Sequence, residues 1–214
     1  MKKSIMTILL AMLSVVTWAQ QEKGTWALQI KAGLNISGYT SYNFGAHDNQ
    51  DEKADPRFAA HFGLEAEHQL TNRFGLVVGA HYSMQGDKES APPGYWKYRD
   101  GVKNKIDYIN IPILAKYYLL RGFSLKMGVQ PAFNVRHVYD YGETHDLNDI
   151  GINIKNFDLA IPVGFSYEFD NHDNAGLAIE TRWNYGLLKV IDVNKGRAPR
   201  NMVFQLSVGY RFLL

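Results

Sequence analysis

From residue 26 onward the chain alternates between apolar and polar positions. Between 202 and 213, Phe204, Leu206, Val208, Tyr210 and Phe212 share one parity, and Gln205, Ser207, Gly209 and Arg211 the other. Successive side chains of a strand point to opposite faces, so this stretch predicts a strand with one greasy and one polar face, a sorting no helix would produce. The pattern recurs to give about eight strands, near 26–37, 58–70, 74–85, 108–119, 123–136, 157–169, 177–187 and 202–213. Their apolar parities include Leu28, Ile30 and Leu34 in the first strand, Phe58, Phe62 and Leu64 in the second, and Leu159, Ile161 and Val163 in the sixth.

The connections alternate as well. Segments 70–73, 120–122 and 170–175 are short polar turns, whereas 39–57, 86–105, 137–156 and 189–200 are long. Long loops on one rim and short turns on the other, with both chain ends on the short-turn rim, describe an all-β, eight-stranded antiparallel up-and-down barrel. No linker or charge run divides residues 20–214, which read as one domain.

Alternation alone does not say which face is inside. Four features put the apolar face outside, in lipid. That face carries no charge, as a membrane wall requires when one Lys or Arg at the midplane costs about 2–4 kcal/mol. The opposite parity is rich in glycine (Gly33, Gly63, Gly75, Gly79, Gly128, Gly164, Gly186, Gly209) rather than in the Lys and Glu of a solvated exterior. The strands are longer than the roughly 5–6 residues usual in soluble sheets. Aromatics gather at strand ends, with Trp26, Phe74, Tyr117, Tyr167 and Tyr210 toward one rim and Phe58, Tyr82, Phe133, Phe157, Trp183 and Phe204 toward the other. The expected architecture is therefore a transmembrane barrel of the bacterial outer membrane, with long extracellular loops and short periplasmic turns.

Composition narrows the function. The chain has 214 residues and no cysteine, which excludes a disulfide scaffold, a thiolate metal site and a Cys nucleophile. Met1-Lys2-Lys3, an apolar run over 5–16 and Thr17-Trp18-Ala19 form a signal peptide, residues 1–19, cleaved before Gln20. Its removal takes Lys2 and Lys3 from a net charge of +2 and leaves the exported chain neutral, which argues against nucleic-acid binding.

Several stretches resemble the PorT-like outer-membrane β-barrel family of Gram-negative bacteria. Tyr108-Ile109-Asn110-Ile111-Pro112-Ile113-Leu114-Ala115-Lys116-Tyr117 resembles its "Y-x-x-I-P-x-x-x-K-Y" strand, and Arg182-Trp183-Asn184-Tyr185-Gly186-Leu187 its "R-x-x-Y-G-L" strand. The segments Gly164 to Phe169 and Gln205 to Phe212 resemble further strands of the family, the latter its closing strand. The resemblance implies a small barrel of the Gram-negative envelope and leaves its activity open. Its founding member is implicated in secretion. Leu213-Leu214 after Phe212 departs from the aromatic ending usual for such strands.

The inward parity carries Lys31, Lys116, Lys126, Arg136, Arg182 and Arg211 against Glu65, Glu67, Asp158, Glu168 and Glu180. Unpaired buried charge is very costly, so these residues are expected to form an interlocked network that plugs the lumen. Pro112, Pro131 and Pro162 sit mid-strand, where they cannot donate to a ladder, and predict local irregularities. No catalytic, cofactor or metal site is expected. His81 and Ser83 share one face, as in lipid A deacylase barrels, but that face is the lumen. The acidic stretch 48–52 lacks EF-hand spacing, and His137, His145, Asp146 and Asp149 lack tight ligand spacing.

The function expected is non-enzymatic: an envelope structural or loop-mediated interaction barrel. A narrow channel or a transport- or secretion-associated barrel is the alternative, and a lipid-modifying enzyme comes third. Its partners would be outer-membrane lipids and lipopolysaccharide, approached by Lys189, Lys195, Arg197 and Arg200. An envelope protein or an extracellular ligand could be met through loops 39–57, 86–105, 137–156 and 189–200, the second rich in aromatics at 92–98. N-terminal sequencing of the exported protein should begin at Gln20; a chain that keeps Lys2 and Lys3 would contradict the leader assignment.

Overall fold

A computed structural model describes residues 22–40, 55–89, 102–140, 144–146, 154–169, 175–191 and 198–214. Its strands are β1 (Trp26–Tyr39), β2 (Asp55–Thr71), β3 (Phe74–Glu89), β4 (Val102–Asn110), β5 (Ile113–Leu120), β6 (Phe123–Asp140), β7 (Thr144–Asp146), β8 (Phe157–Glu168), β9 (Ala175–Gly186) and β10 (Asn201–Leu213). β4 and β5 are two halves of one wall strand, and β7 pairs only with β6. Each remaining strand pairs antiparallel with its sequence neighbour, and β1 joins β10 from Ala27↔Leu213 to Tyr39↔Asn201. The sheet thus closes into an eight-stranded ring without a free edge, as lipid demands.

The greasy face is on the outside. Leu34 is 58% exposed and Phe58 73%, while Lys116, on the opposite parity, is fully buried. Trp26, Phe74, Tyr117, Tyr167 and Tyr210 are exposed toward the short-turn rim, and Phe58, Phe133, Phe157 and Trp183 toward the other. Neighbouring rings meet across strands: Phe62 and Tyr82 stack, while Phe133–Phe157 and Trp183–Phe204 contact at a tilt. His68, the most polar residue of this face with Thr181, stacks on Trp26 at 4.3 Å between ring centroids.

Local chemistry sets the turns. Between β2 and β3, Thr71 Oγ1 accepts the backbone N–H of Phe74 at 3.1 Å. Between β5 and β6, Gly122 takes φ 74°, and a Cβ there would stand 2.4 Å from the Glu168 carbonyl, so the turn needs glycine.

The prolines interrupt the wall as expected. Pairing lapses at Ile111-Pro112, and Ile111 N–H instead donates to the Pro131 carbonyl at 2.8 Å. The β6–β8 ladder breaks between Met127↔Val163 and Gln130↔Ala160, beside Pro162. All three prolines therefore lie in one sector of the wall. A second irregularity changes a side chain's face: β4 pairs Asp107 with Arg136 but Tyr108 with Asn134, so Val135 is an extra residue, a β-bulge.

Several strands outrun their sequence limits on the long-loop side. β2 starts at Asp55, β3 continues to Glu89, β4 starts at Val102 and β6 continues to Asp140. With every wall strand paired on both sides, the barrel should resist SDS. The unboiled protein is expected to migrate differently from the boiled one on a gel, and identical mobility would contradict closure.

Candidate functional site

Among the described residues the lumen is where polar side chains concentrate, because the wall strands turn their polar parity inward. It is filled in layers from the short-turn rim to the long-loop rim.

Nearest the short-turn rim, Lys116 Nζ lies 2.8 Å from Glu67 Oε2 and also bridges to Glu168. Arg211 Nε reaches the same Glu67 oxygen at 3.3 Å and Glu168 at 3.8 Å. The Tyr118 hydroxyl donates to Glu67 Oε1 at 2.7 Å, and its ring lies under the Lys116 ammonium. Two cations balance two carboxylates.

One level higher, two carboxylates are clamped by three cations. Glu65 and Glu180 each present one oxygen to Lys31 (2.7 and 3.0 Å) and the other to Lys126 (3.1 and 2.6 Å). Arg182 Nη2 spans both acids, at 2.6 Å from Glu65 and 2.5 Å from Glu180. His81 Nε2 lies 3.2 Å from Glu65. These five charged side chains come from β1, β2, β6 and β9, so the cluster ties opposite sides of the wall together. Each is about 1% exposed. Glycines make the room: a Cβ at Gly79 would stand 2.8 Å from Glu65 Cγ, and one at Gly63 would stand 2.3 Å from His81 Cδ2.

Above the charges lies a neutral layer. Asn184 donates to Gln205 and Gln205 to Asn35, both at 2.9 Å. Asn35 and Gln85 both donate to Ser83 Oγ, at 3.0 and 3.1 Å. His61 bonds Ser207 at 2.8 Å. At the long-loop mouth the filling becomes apolar. Ile106, Tyr108 and Ala132 on the wall pack with Ile154 and Val190 from the connections, with Tyr39, Tyr139 and Ile191 around them. An antiparallel bridge between Ile154 and Ile191 and the bond from Lys155 N–H to the Val190 carbonyl hold this cap.

Nine of the eleven expected network residues meet in the two ionic layers: Lys31, Glu65, Glu67, Lys116, Lys126, Glu168, Glu180, Arg182 and Arg211. Two do not. Arg136 leaves the lumen because the Val135 bulge shifts its parity outward; its side chain is half exposed and lies 3.6 Å from Asp107. Asp158 stays inside, but high on its strand, where Asn201 donates to it at 2.7 Å, as does the Leu159 N–H at 2.7 Å. No ion pair to Asp158 is found among the described residues.

The sequence reading missed the apolar cap and Asp107. Asp107 lies opposite Met84 on the outward parity and accepts from the Tyr82 hydroxyl at 2.9 Å. With Arg136, and with the Lys105–Asp140 pair nearby on the same strands, it marks where the wall leaves hydrocarbon.

His81 and Ser83 are buried in the lumen and belong to different contacts, so they form no Ser–His pair open to lipid. His137 bonds Asn134 at 2.7 Å. Among the described residues no group of three His, Asp or Glu could hold a metal. The stretch 48–52, Asp149, most of the aromatic loop and the basic residues Lys195 and Arg197 lie outside the described residues, as do residues 1–19, expected from the sequence to be a leader.

Glu65 carries three cations, so Glu65→Ala leaves them facing one remaining carboxylate. It should cost about 3–5 kcal/mol, read as a lower urea midpoint for loss of the heat-modifiable band in liposomes. Asp158→Asn, with no ion pair to break, should cost about 1–3 kcal/mol. Equal losses would contradict this division of the lumen.

The architecture has a counterpart among solved structures. The outer membrane protein OprG from Pseudomonas aeruginosa superposes with a TM-score of 0.54 at 12% identity, over 90% of this chain and 99% of that one. Ail, the attachment invasion locus protein of Yersinia pestis, gives 0.47 at 14% identity, over 89% and 100%. At such identities the likeness to OprG is one of fold. No curated protein matches the chain. Over residues 18–192 the sequence fits the model of the outer membrane protein beta-barrel domain: the chain belongs to that family and is a protein of the bacterial outer membrane.

Proposed function

We propose that this barrel is a non-enzymatic envelope protein that acts through its long loops, as a structural or recognition element, rather than by passing solutes. The observation that carries the reading is the filled lumen. Two ionic layers, an amide and hydroxyl layer and an apolar cap succeed one another along the axis, and an eight-stranded barrel has room for little else. The charged groups of the two ionic layers lie inside, away from lipid and solvent.

What remains accessible is the outer wall and the long-loop rim. The wall suits outer-membrane lipids, and the basic residues Lys189 and Arg200, with Lys195 and Arg197 in the same loop, suit the anionic headgroups of lipopolysaccharide. The loops 39–57, 86–105, 137–156 and 189–200 are the candidate contacts for an envelope protein or an extracellular ligand. Within the outer-membrane barrels, the motifs at 108–117, 182–187 and 205–212 support kinship with the PorT-like group.

In planar bilayers the purified protein should give no large, stable single-channel steps; such steps would overturn the plugged lumen. Photo-crosslinkers placed in the four long loops of intact cells should trap discrete adducts. Lipid A altered in a deletion strain and restored by the wild-type gene would replace this reading with an enzymatic one.

A further inference from the structure

The central ionic layer does not balance. Lys31, Lys126 and Arg182 bring three positive charges to the two carboxylates Glu65 and Glu180, while the layer below is neutral. The nearby His81 offers no negative charge, and Asp158 is bound by Asn201 at another level of the lumen. A net charge enclosed in protein and lipid carries a large desolvation penalty unless a counter-charge touches it.

Arg182 has donors left for such a counter-charge. Its Nη2 serves both carboxylates, but Nε and Nη1 have no acceptor among the described residues, although the side chain is about 1% exposed. Guanidinium N–H groups in this position call for an acceptor, and charge-assisted hydrogen bonds to an anion are the strong kind. A water molecule would satisfy the donors and leave the surplus.

We propose that the barrel holds one monovalent anion of halide size beside the Arg182 guanidinium, completing the central layer as three cations with three anions. A doubly charged oxyanion would only reverse the sign of the imbalance. With both mouths filled, the ion would enter as the chain folds, and would act as a structural part of the plug.

The test is refolding of the full mature chain from urea into micelles, in sodium bromide or in sodium gluconate at equal ionic strength. Bromide should raise the urea midpoint over gluconate, and further when raised about tenfold, as expected for a ligand bound only by the folded state. Crystals grown in bromide should show an anomalous peak within hydrogen-bonding distance of Arg182 Nε or Nη1. Lys31→Met leaves two cations on two carboxylates with Arg182 intact, and its midpoint should not respond to bromide. If Lys31→Met fails to fold, the wild-type midpoint and the anomalous map still decide. Equal wild-type midpoints in both salts together with no lumenal bromide would overturn the proposal, and would mean that one ammonium balances the layer by giving up its proton.

Discussion

Two carboxylates gripped by three cations in the middle of a lipid-facing wall set the terms for the rest of this molecule. Glu65 and Glu180 can be ionised there only because Lys31, Lys126 and Arg182 converge on them from β1, β6 and β9. Such convergence requires strands far apart in sequence to close around one axis. A closed ladder in turn is what permits the wall to lie in hydrocarbon, since it leaves no backbone edge unpaired. The charges and the closure therefore support each other: an open sheet would strand the charges, and an apolar lumen would offer nothing to draw opposite walls together.

Room for the cluster comes from what is missing elsewhere on the inner face. Glycine faces Glu65 and His81 at positions where even a methyl group would collide with them. The inner face thus pairs large charged residues with absent side chains, and the wall keeps a small radius while holding Lys, Arg and Glu in full. The three prolines are confined to the sector formed by β5, β6 and β8, where lost ladder bonds are partly replaced by contacts such as Ile111 N–H to the Pro131 carbonyl. The β1–β10 closure and the flanking β1–β2 and β9–β10 ladders run in unbroken register.

Most of this was legible in the sequence, for a physical reason. With period-two geometry, fixing one residue's face fixes its whole strand, so Lys31, Glu65, Lys126, Glu180 and Arg182 could be placed inside together. The same rule explains the failure at Arg136: one extra residue, Val135, reverses parity beyond the bulge, and nothing in the local residue types announces it. Asp158 was placed on the correct face, but alternation is blind to height along the axis, and height decided that it would meet Asn201 rather than a cation. In the fourth wall strand Lys116 was placed inward correctly, but the inner face also buries the apolar residues Ile106, Tyr108, Leu114 and Tyr118, which polar-inward alternation does not anticipate. The cap formed with Ile154 and Val190 depends on segments distant in sequence meeting over the mouth. The strands ran past their expected ends because above the hydrocarbon the outer face no longer has to be greasy, as Asp107 and Arg136 illustrate.

The direct test of the account is the orientation of the wall. Nitroxide labels at Leu64 and Val163, whose side chains are outward and exposed, report it in liposomes. Strong relaxation by dissolved oxygen with little from an aqueous nickel or chromium reagent is the result this structure requires. The reverse pattern would put the greasy face inside and the charges in water, and the architecture described above would be wrong.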